Sequence, residues 1–216
     1  MDNKNTSSQV VFLLGAGASV KAGVPDTFRF VKEFQQSMVN REDRKTVDKI
    51  IEILREWQNS DIDVELLLDT LTKLDAKEQE PILKFFEGGR FILSEYSEKR
   101  PIIEDLKDFI KRKAIIESQE RIRYIEPLLG FVEQYKPLDI FSVNYDTCIE
   151  QFCNVYKLNY QDGFDVNWNP RVFEQENVDI RLYKLHGSII WYRSDRSGYI
   201  KLPVMTEEAG IKLITG

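Results

Sequence analysis

The spacing of the hydrophobic residues changes along the chain, and each change predicts a different kind of element. Residues 10–14 read Val-Val-Phe-Leu-Leu and are followed by Gly-Ala-Gly. A short, continuous apolar run of this kind is typical of a strand that is buried on both faces of a parallel sheet. We therefore expect residues 10–14 to form a central parallel strand.

From residue 28 to about residue 135 the apolar residues recur three or four positions apart, which is the spacing of amphipathic helices. Asp63 is the expected cap of the third of these helices, and Pro127 and Gly130 are the expected interruptions of the last one. The predicted helices cover residues 28–38, 47–57, 64–74, 82–94 and 102–135.

Strand patterns return after this helical segment. Residues 138–143 and 180–185 are predicted strands with a helix over 147–156 between them, and residues 199–205 are a further candidate strand. Residues 161–171 are rich in turn-forming residues. The order strand, helical segment, strand, helix, strand predicts an α/β fold. In this fold a parallel sheet carries a large helical module between its first two strands.

Composition and charge exclude several classes of protein. The chain has 216 residues, of which 42% are hydrophobic and 31% charged, and this is enough apolar material for a packed core. Its 30 basic and 36 acidic residues give a net charge of -6, the wrong sign for general nucleic-acid binding. The longest apolar run is too short to cross a bilayer, and the amino terminus does not resemble a signal peptide. We expect a cytoplasmic protein that binds neither membranes nor nucleic acid directly.

The cysteines and the single histidine do not support a metal centre. Cys148 and Cys153 lie on one predicted helix, and no second cysteine pair accompanies them. A Cys/His zinc site needs four ligands, and a disulfide framework needs a larger even set of cysteines. We expect no bound metal, and we interpret both cysteines as reduced packing residues.

The first candidate for chemistry is Gly-Ala-Gly-Ala-Ser at residues 15–19, directly after the first predicted strand. Glycines at a strand-to-helix turn let the backbone approach a pyrophosphate, and unpaired amides there favour its negative charge. The segment is not a Walker loop, and Val20 occupies the place of the third glycine of the dinucleotide fingerprint. The alternative is that these glycines serve a tight turn and close packing.

Two further candidates follow later strands. Asn144 can donate and accept hydrogen bonds and Asp146 can accept them, which suits a nucleoside ligand, but capping of the next helix by Asp146 is the favoured alternative. His186, the only histidine, is the natural general base near neutral pH, although a lone histidine is usually structural. Because all three candidates follow predicted strands, we expect them to meet in one crevice at the carboxyl edge of the sheet.

These motifs resemble those of the sirtuin superfamily. Residues 15–19, together with Gly-Val-Pro-Asp-Thr-Phe-Arg at 23–29, resemble the sirtuin pattern Gly-Ala-Gly-x-Ser, then Gly-Ile-Pro-Asp-Phe-Arg, with one inserted threonine. Asn-Tyr-Asp at residues 144–146 resembles the sirtuin Gln-Asn-Ile-Asp, and residues 185–188 match Leu-His-Gly-Ser. The order of the motifs along the chain also matches that of the family.

The resemblance implies a Rossmann-like parallel sheet without a zinc module, and NAD as the bound substrate. It implies one domain over residues 1–216, incomplete at its carboxyl end, with a helical insertion over residues 30–136. Asn144 would position the nicotinamide ribose, and His186 would act as the base toward the ribose hydroxyls or a water, so these two would be catalytic. The implied NAD contacts are Gly15, Ala16, Gly17 and Ser19 at the pyrophosphate, Asp26 and Phe28 beside the nicotinamide, Asp146 at its carboxamide, and Ser188.

Two departures from the sirtuin deacylases indicate a subclass. The chain lacks the four cysteines of the zinc module that helps to build the acyl-peptide channel, and Val143 stands where the sirtuin glutamine would be. These features resemble the bacterial sirtuin-like NAD hydrolases of antiphage defence. That resemblance implies hydrolysis of NAD to nicotinamide and ADP-ribose, depletion of NAD in antiviral defence, and further domains or a defence-system partner protein. The helical insertion is rich in Leu, Ile and Phe and is a candidate self-association surface, so we expect a homo-oligomer.

Two other functions stay open at the level of the sequence. NAD-dependent protein deacylation would require an acyl-lysine peptide, and the missing cysteines argue against it. A non-catalytic sensor or assembly module would bind NAD or ADP-ribose without cleaving it, because a fold does not determine an activity. Phe28 likewise fits a core position of a helix as well as it fits a contact to nicotinamide.

Overall fold

The computed structural model describes residues 10–38, 41, 43–75, 102–165, 167–194 and 198–203. The chain divides into two compact units, one formed by Met1–Val24 with Ala114–Gly216 and the other by Pro25–Lys113. In the described residues the strands all belong to the first unit. No helix of this described part is both long enough and apolar enough to cross a membrane.

The second unit is helical at the predicted positions. Aspartates cap two of its helices, because the side chain of Asp26 accepts a bond from the Arg29 amide and that of Asp63 from the Leu66 amide, each at 2.8 Å. The Asp63 cap is thereby confirmed. The helix predicted over residues 82–94 lies outside the described residues. The helices are α1 (Thr27–Ser37), α2 (Arg44–Gln58), α3 (Val64–Asp75) and α4 (Ile102–Ala114).

The helical segment predicted over residues 102–135 contains a break after Ala114 that was not predicted. After α4 the chain forms a 3₁₀ helix over Gln119–Ile125 and then α5 over Leu128–Gln134. Pro127 immediately precedes α5, where its fixed φ and missing N–H suit the start of a helix. The expected interruption at Pro127 is therefore confirmed, whereas Gly130 lies inside α5 and does not interrupt it.

A four-stranded sheet forms the centre of the first unit. Its strands are β1 (Val11–Leu14), β2 (Leu138–Ser142), β3 (Tyr160–Gln161) and β4 (Ile180–Lys184). They lie in the order β1-β2-β4-β3, and every neighbouring pair is parallel. The prediction of an α/β fold built on a parallel sheet is confirmed, and the arrangement is compatible with a Rossmann-like fold.

The register of the sheet places the carboxyl ends of three strands side by side. Leu14 pairs with Ser142, and Ser142 pairs with Lys184, so that β1, β2 and β4 end at the same level. The candidate motifs begin in the loops directly after these three ends. The backbone alone therefore brings the motifs to one edge of the sheet.

Helices of the first unit cover one face of this sheet. Ile140 of β2 and Leu182 of β4 are fully buried, while their neighbours along each strand are partly exposed. Phe12 of β1 meets Phe131 of α5 edge to face, with ring centroids 5.2 Å apart. The last helix of the unit, α6 (Cys148–Tyr156), follows β2 and packs against the 3₁₀ helix that precedes α5.

β1 lies at an edge of the sheet within the described residues, so the expectation of a central strand buried on both faces is wrong for this part of the chain. Val11 is 54% exposed and Leu13 is 72% exposed. An apolar run does not distinguish a strand with two covered faces from a strand with one. Phe12 and Leu14 alone provide the side of β1 that faces the helices.

The two other strands of the described residues form a separate antiparallel pair. β5 (Trp191–Ser194) pairs in antiparallel fashion with β6 (Gly198–Lys201), outside the parallel sheet. β6 overlaps the strand predicted over residues 199–205, of which residues 204–205 lie outside the described part. β5 and the two-residue β3 were not predicted, because neither is long enough to show a clear alternation of apolar and polar residues.

Candidate functional site

Backbone hydrogen bonds join the three loops that carry the predicted motifs. The Val143 amide donates to the Leu14 carbonyl at 3.0 Å, and the Leu185 amide donates to the Ser142 carbonyl at 2.9 Å. Further out, the Ile189 amide donates to the carbonyl of Tyr145 at 2.9 Å. The loops after β1, β2 and β4 therefore form one continuous surface at the carboxyl edge of the sheet.

Asn144 connects the second motif to the first. Its side-chain nitrogen Nδ2 donates to the Gly15 carbonyl at 2.9 Å and to the Ser19 hydroxyl at 3.1 Å. A carbonyl oxygen can only accept, so these bonds fix which end of the amide is the nitrogen. Both Nδ2 hydrogens are used within the protein, and Oδ1 is the atom of this 7% exposed side chain that can accept a bond from a ligand.

The glycines of the first motif are exposed, and the fold itself leaves room above them. A Cβ atom added at Gly15 or Gly17 would meet no atom within 4 Å, and neither residue needs a positive φ. Gly23 differs, because its φ is 96° and an added Cβ would collide with the Arg121 guanidinium. The tight-turn interpretation therefore explains Gly23, while the chain conformation gives no reason for glycine at 15 and 17.

The first motif ends in a buried residue, Ser19. Residues 16–22 form a 3₁₀ helix, in which Ala16 is partly exposed and Ser19 is buried. The Ser19 hydroxyl accepts from Asn144 and also interacts with the Cys148 thiol. Ser19 is therefore placed to hold Asn144.

One carboxylate oxygen of Asp146 accepts a hydrogen bond within its own segment. Its Oδ1 accepts a bond from the Cys148 amide at 2.9 Å, at the start of α6. This is the helix-start role that the sequence favoured locally. The backbone carbonyl of Asp146 accepts a short bond from the Lys184 ammonium group, which fixes the turn from the opposite side.

The third motif lies next to the second, but its histidine is exposed. The His186 ring lies beside the Tyr145 ring, with centroids 6.2 Å apart. Gly187 has a φ of 83°, and Ser188 donates a bond from its hydroxyl to the Tyr145 carbonyl at 3.4 Å. The structure thus brings His186 and Ser188 to the loop that carries Asn144.

A cavity of about 250 Å³ opens beside these loops, and Asn144 is one of the residues that line it. His186 and Ser188 are not among the described residues that line it. Its lining residues with polar side chains are Ser19, Tyr124, Ser142, Asn144, Asp146, Cys148 and Lys184. The remaining wall is mainly apolar and comes from β1, β2, α5 and the segment before α5, including Phe12, Leu14, Phe131 and Ile140.

Cys148 is a protonated thiol at neutral pH. Burial and the nearby Asp146 carboxylate raise the pKa of Cys148 to about 12. Its Sγ lies 3.3 Å from the Tyr124 hydroxyl, which also makes a short bond to the Ala18 carbonyl, and burial raises the pKa of Tyr124 as well. The site therefore offers no thiolate nucleophile. Both cysteines are free and buried, as the sequence predicted.

Asp26 and Phe28 belong to the helical unit. Asp26 caps α1 through its bond from the Arg29 amide. Phe28 is 48% exposed, so its interpretation as a core residue of the helix is wrong. Their proposed contacts to nicotinamide stay predictions.

Two buried charged residues of the site were not predicted from the sequence. Lys184 is the last residue of β4 and lines the cavity, and its Nζ lies 3.8 Å from Glu150 of α6, which is 0% exposed. Burial raises the pKa of Glu150, and the Lys184 ammonium group opposes that rise. The sequence did hold a signal for the burial of Lys184. Side chains of a strand alternate between its two faces, and Lys184 lies on the same face as the buried residues Ile180 and Leu182.

Neither a scan against protein-family models nor a search of curated proteins matched the chain. The resemblance to sirtuins therefore rests on the motif residues alone.

Proposed function

We propose that this protein is an NAD glycohydrolase that cleaves the bond between nicotinamide and ribose. The observation that carries the proposal is that two hydrogen bonds hold the side-chain amide of Asn144. Its bonds to Gly15 and Ser19 unite two separate motifs of the chain and leave Oδ1 as the acceptor of a side chain that lines a cavity. The open space above Gly15 and Gly17 supports the same proposal, because a pyrophosphate needs close approach to a backbone.

The proposed reaction consumes NAD and water and yields nicotinamide, ADP-ribose and a proton. The glycosidic bond breaks with its electron pair leaving on the pyridinium nitrogen, which is already cationic and needs no proton. The site therefore has to position the substrate, stabilise a cation at C1′ and direct a water to it. In the proposal Asn144 Oδ1 orients the ribose or the water, and His186 accepts the proton.

The remaining assignments follow from the resemblance and belong to the same proposal. The backbone of residues 15–19 would hold the pyrophosphate, Asp146 the carboxamide, and Ser188 a neighbouring part of NAD. Asp26 and Phe28 would flank the nicotinamide. In the cell the enzyme would deplete NAD during antiphage defence, as a homo-oligomer or with a defence partner, and we propose a cytoplasmic location for it.

The test combines NAD binding by calorimetry with nicotinamide release by chromatography. Asn144→Ala and His186→Ala should each lower the rate of release by about 100-fold or more, as for loss of a positioned acid–base or water-orienting group. Asn154→Ala is the matched control, because Asn154 is exposed on α6 and lies away from the cavity lining. Equal rates in Asn144→Ala and Asn154→Ala would reject the proposed site.

A sensor that binds NAD without cleaving it is the second candidate. It is favoured by the position of His186, which does not line the cavity among the described residues, and by the use of Asp146 Oδ1 as a helix cap. NAD binding without nicotinamide release would support the sensor. Adding an acetyl-lysine peptide to the same assay tests deacylation, since release that depends on the peptide would assign the protein to the deacylases.

A further inference from the structure

Lys184 and Glu150 form a buried pair beside the proposed site. Glu150 lies on α6 and Lys184 at the end of β4, and both are buried. Their charged atoms are 3.8 Å apart, too far for a hydrogen bond. Neither carboxylate oxygen of Glu150 has a hydrogen-bond partner among the described residues. The pair is therefore held by charge alone.

The stability of the fold does not explain this pair. A buried ion pair with poor geometry gains less from its attraction than it loses by leaving water, and apolar residues of similar size are often as stabilising. The neighbours of Glu150 on α6, Ile149 and Phe152, are buried apolar residues. An apolar residue at position 150 would continue that surface, so the charges point to a role in the site.

Lys184 holds the turn that contains Asn144. Its ammonium group donates to the backbone carbonyl of Asp146, while the Asp146 side chain accepts from the Cys148 amide. The backbone N–H of Asn144 in turn donates to the Ser142 hydroxyl at 3.1 Å. The turn from 144 to 146 is thus fixed at both ends, and Lys184 is the contact that reaches it from another strand.

The charge of Lys184 would oppose the proposed chemistry if it were not balanced. Lys184 is the one basic side chain among the described residues that line the cavity. The proposed reaction develops positive charge on the ribose, and like charges repel strongly in a buried site. The carboxylate of Glu150 lies 3.8 Å from the Lys184 ammonium group and supplies the opposite charge, and Glu150 does not line the cavity among the described residues.

We propose that Lys184 is a positioning residue, which fixes the Asn144–Asp146 turn through the Asp146 carbonyl, and that Glu150 neutralises its charge. The inference rests on the proposed NAD hydrolysis. It goes beyond it by assigning roles to two residues outside the sirtuin-like motifs.

The test replaces the pair and measures stability, kinetics and amide hydrogen exchange separately. Lys184→Met/Glu150→Met should still unfold in one cooperative transition, because no unpaired charge is left, although its midpoint falls through loss of the bond to the Asp146 carbonyl. Its kcat for nicotinamide release should fall about 100-fold through misplacement of Asn144, with KM within about threefold. Hydrogen exchange at the backbone amides of Asn144 and Cys148 should accelerate about tenfold, while the backbone amides of β2 keep their protection from exchange.

Glu150→Gln separates the two roles, because it keeps the bond from Lys184 to Asp146. Exchange at the Asn144 and Cys148 amides should stay at the wild-type rate, while kcat falls about tenfold through the unbalanced cation. A wild-type kcat in this variant would overturn the role of Glu150. It also keeps the inference testable if the double variant does not fold.

The control removes a second ion pair of the same unit, in which Asp162 is buried and Lys201 is partly exposed. Lys201 and Asp162 lie 2.7 Å apart and do not line the cavity, so Lys201→Met/Asp162→Leu should keep kcat within about threefold of the wild type. Wild-type exchange in Lys184→Met/Glu150→Met would overturn the positioning role. If wild-type protein releases no nicotinamide, the proposed function fails, and the exchange result still decides whether Lys184 fixes the turn.

Discussion

At the scale of single residues, the site is organised around the amide of Asn144. Its two donated bonds determine the orientation of the amide and connect residues that are far apart in the sequence. The sequence indicated that Asn144 could act on a ligand, but it could not indicate that Gly15 and Ser19 would hold it. Such bonds depend on the pairing of β1 with β2, which the local sequence does not specify.

Gly17→Ala tests whether the open space in the first motif belongs to a ligand. An added Cβ at Gly17 meets no protein atom, so the free energy of unfolding should stay constant or rise by about 0.4–1 kcal/mol. The KM for NAD should rise, because the methyl group occupies the space that we assign to the pyrophosphate. Denaturant titration and steady-state kinetics check the two effects.

The control for this prediction is Gly23→Ala, at a position where the protein itself requires glycine. Its positive φ and the adjacent Arg121 should make this variant less stable by about 1 kcal/mol or more. If Gly17→Ala leaves KM unchanged, the pyrophosphate does not lie against residue 17.

The thiol of Cys148 should make the fold sensitive to alkali. Its folded-state pKa of about 12 lies above the ordinary value for cysteine, so the folded protein retains a proton that the unfolded chain loses. The corresponding stability is complete below about pH 8.5 and is lost as the pH rises toward 12. In that window the loss approaches about 1.4 kcal/mol per pH unit.

Denaturant titrations between pH 8 and pH 11 should therefore show a steeper loss of stability in the wild type than in Cys148→Ala. The variant lacks the thiol and its proton. Its unfolding free energy should therefore fall less per pH unit, by up to the contribution of one proton. Parallel curves for the two proteins would show that Cys148 ionises normally in the fold.

At the scale of elements, long periodic patterns were predictable and contacts between distant segments were not. α2 and α3 show clear helical spacing and were found where the pattern placed them. β1 was expected in the centre because its residues are all apolar, but position in a sheet depends on which strands pair with it. β3 has two residues and gives no periodic signal.

Asp26 has two possible roles, as the cap of α1 and as a contact to nicotinamide, and Asp26→Ser separates them. Serine is also a good N-cap, so the free energy of unfolding should change by less than about 0.5 kcal/mol, whereas Asp26→Ala should lose about 1 kcal/mol. If the carboxylate contacts nicotinamide, Asp26→Ser should still lower kcat/KM for NAD.

Asp63 provides the matched control, because it caps α3 with the same bond length and no motif assigns it to the site. Asp63→Ser should keep both stability and kcat/KM. Equal kinetics in Asp26→Ser and Asp63→Ser would assign Asp26 to the helix cap alone.

At the scale of the whole molecule, the α/β class followed from the sequence, because strands alternated with helical segments. Loops after β1, β2 and β4 were expected at one edge, and the register of the sheet places them there. Lys184 and Glu150 were missed because charged residues in apolar patterns are normally exposed. The division at residues 25 and 113 depends on contacts within each unit. The single domain over residues 1–216 with a helical insertion over residues 30–136 stays a prediction.

Activity should depend on assembly, since the helical segment, rich in Leu, Ile and Phe, is a candidate self-association surface and a constantly active NAD hydrolase would be toxic. The rate of nicotinamide release per chain should fall on dilution, over the same concentrations at which sedimentation shows dissociation. A strict monomer with full activity would contradict this expectation.

The most direct measurement of the central claim is the time course of nicotinamide and ADP-ribose production from NAD, without peptide, by wild type and Asn144→Ala. The account predicts equal amounts of both products from the wild type, and a rate at least about 100-fold lower in the variant. NAD that stays intact with the wild type, or is cleaved equally fast by Asn144→Ala, would contradict it.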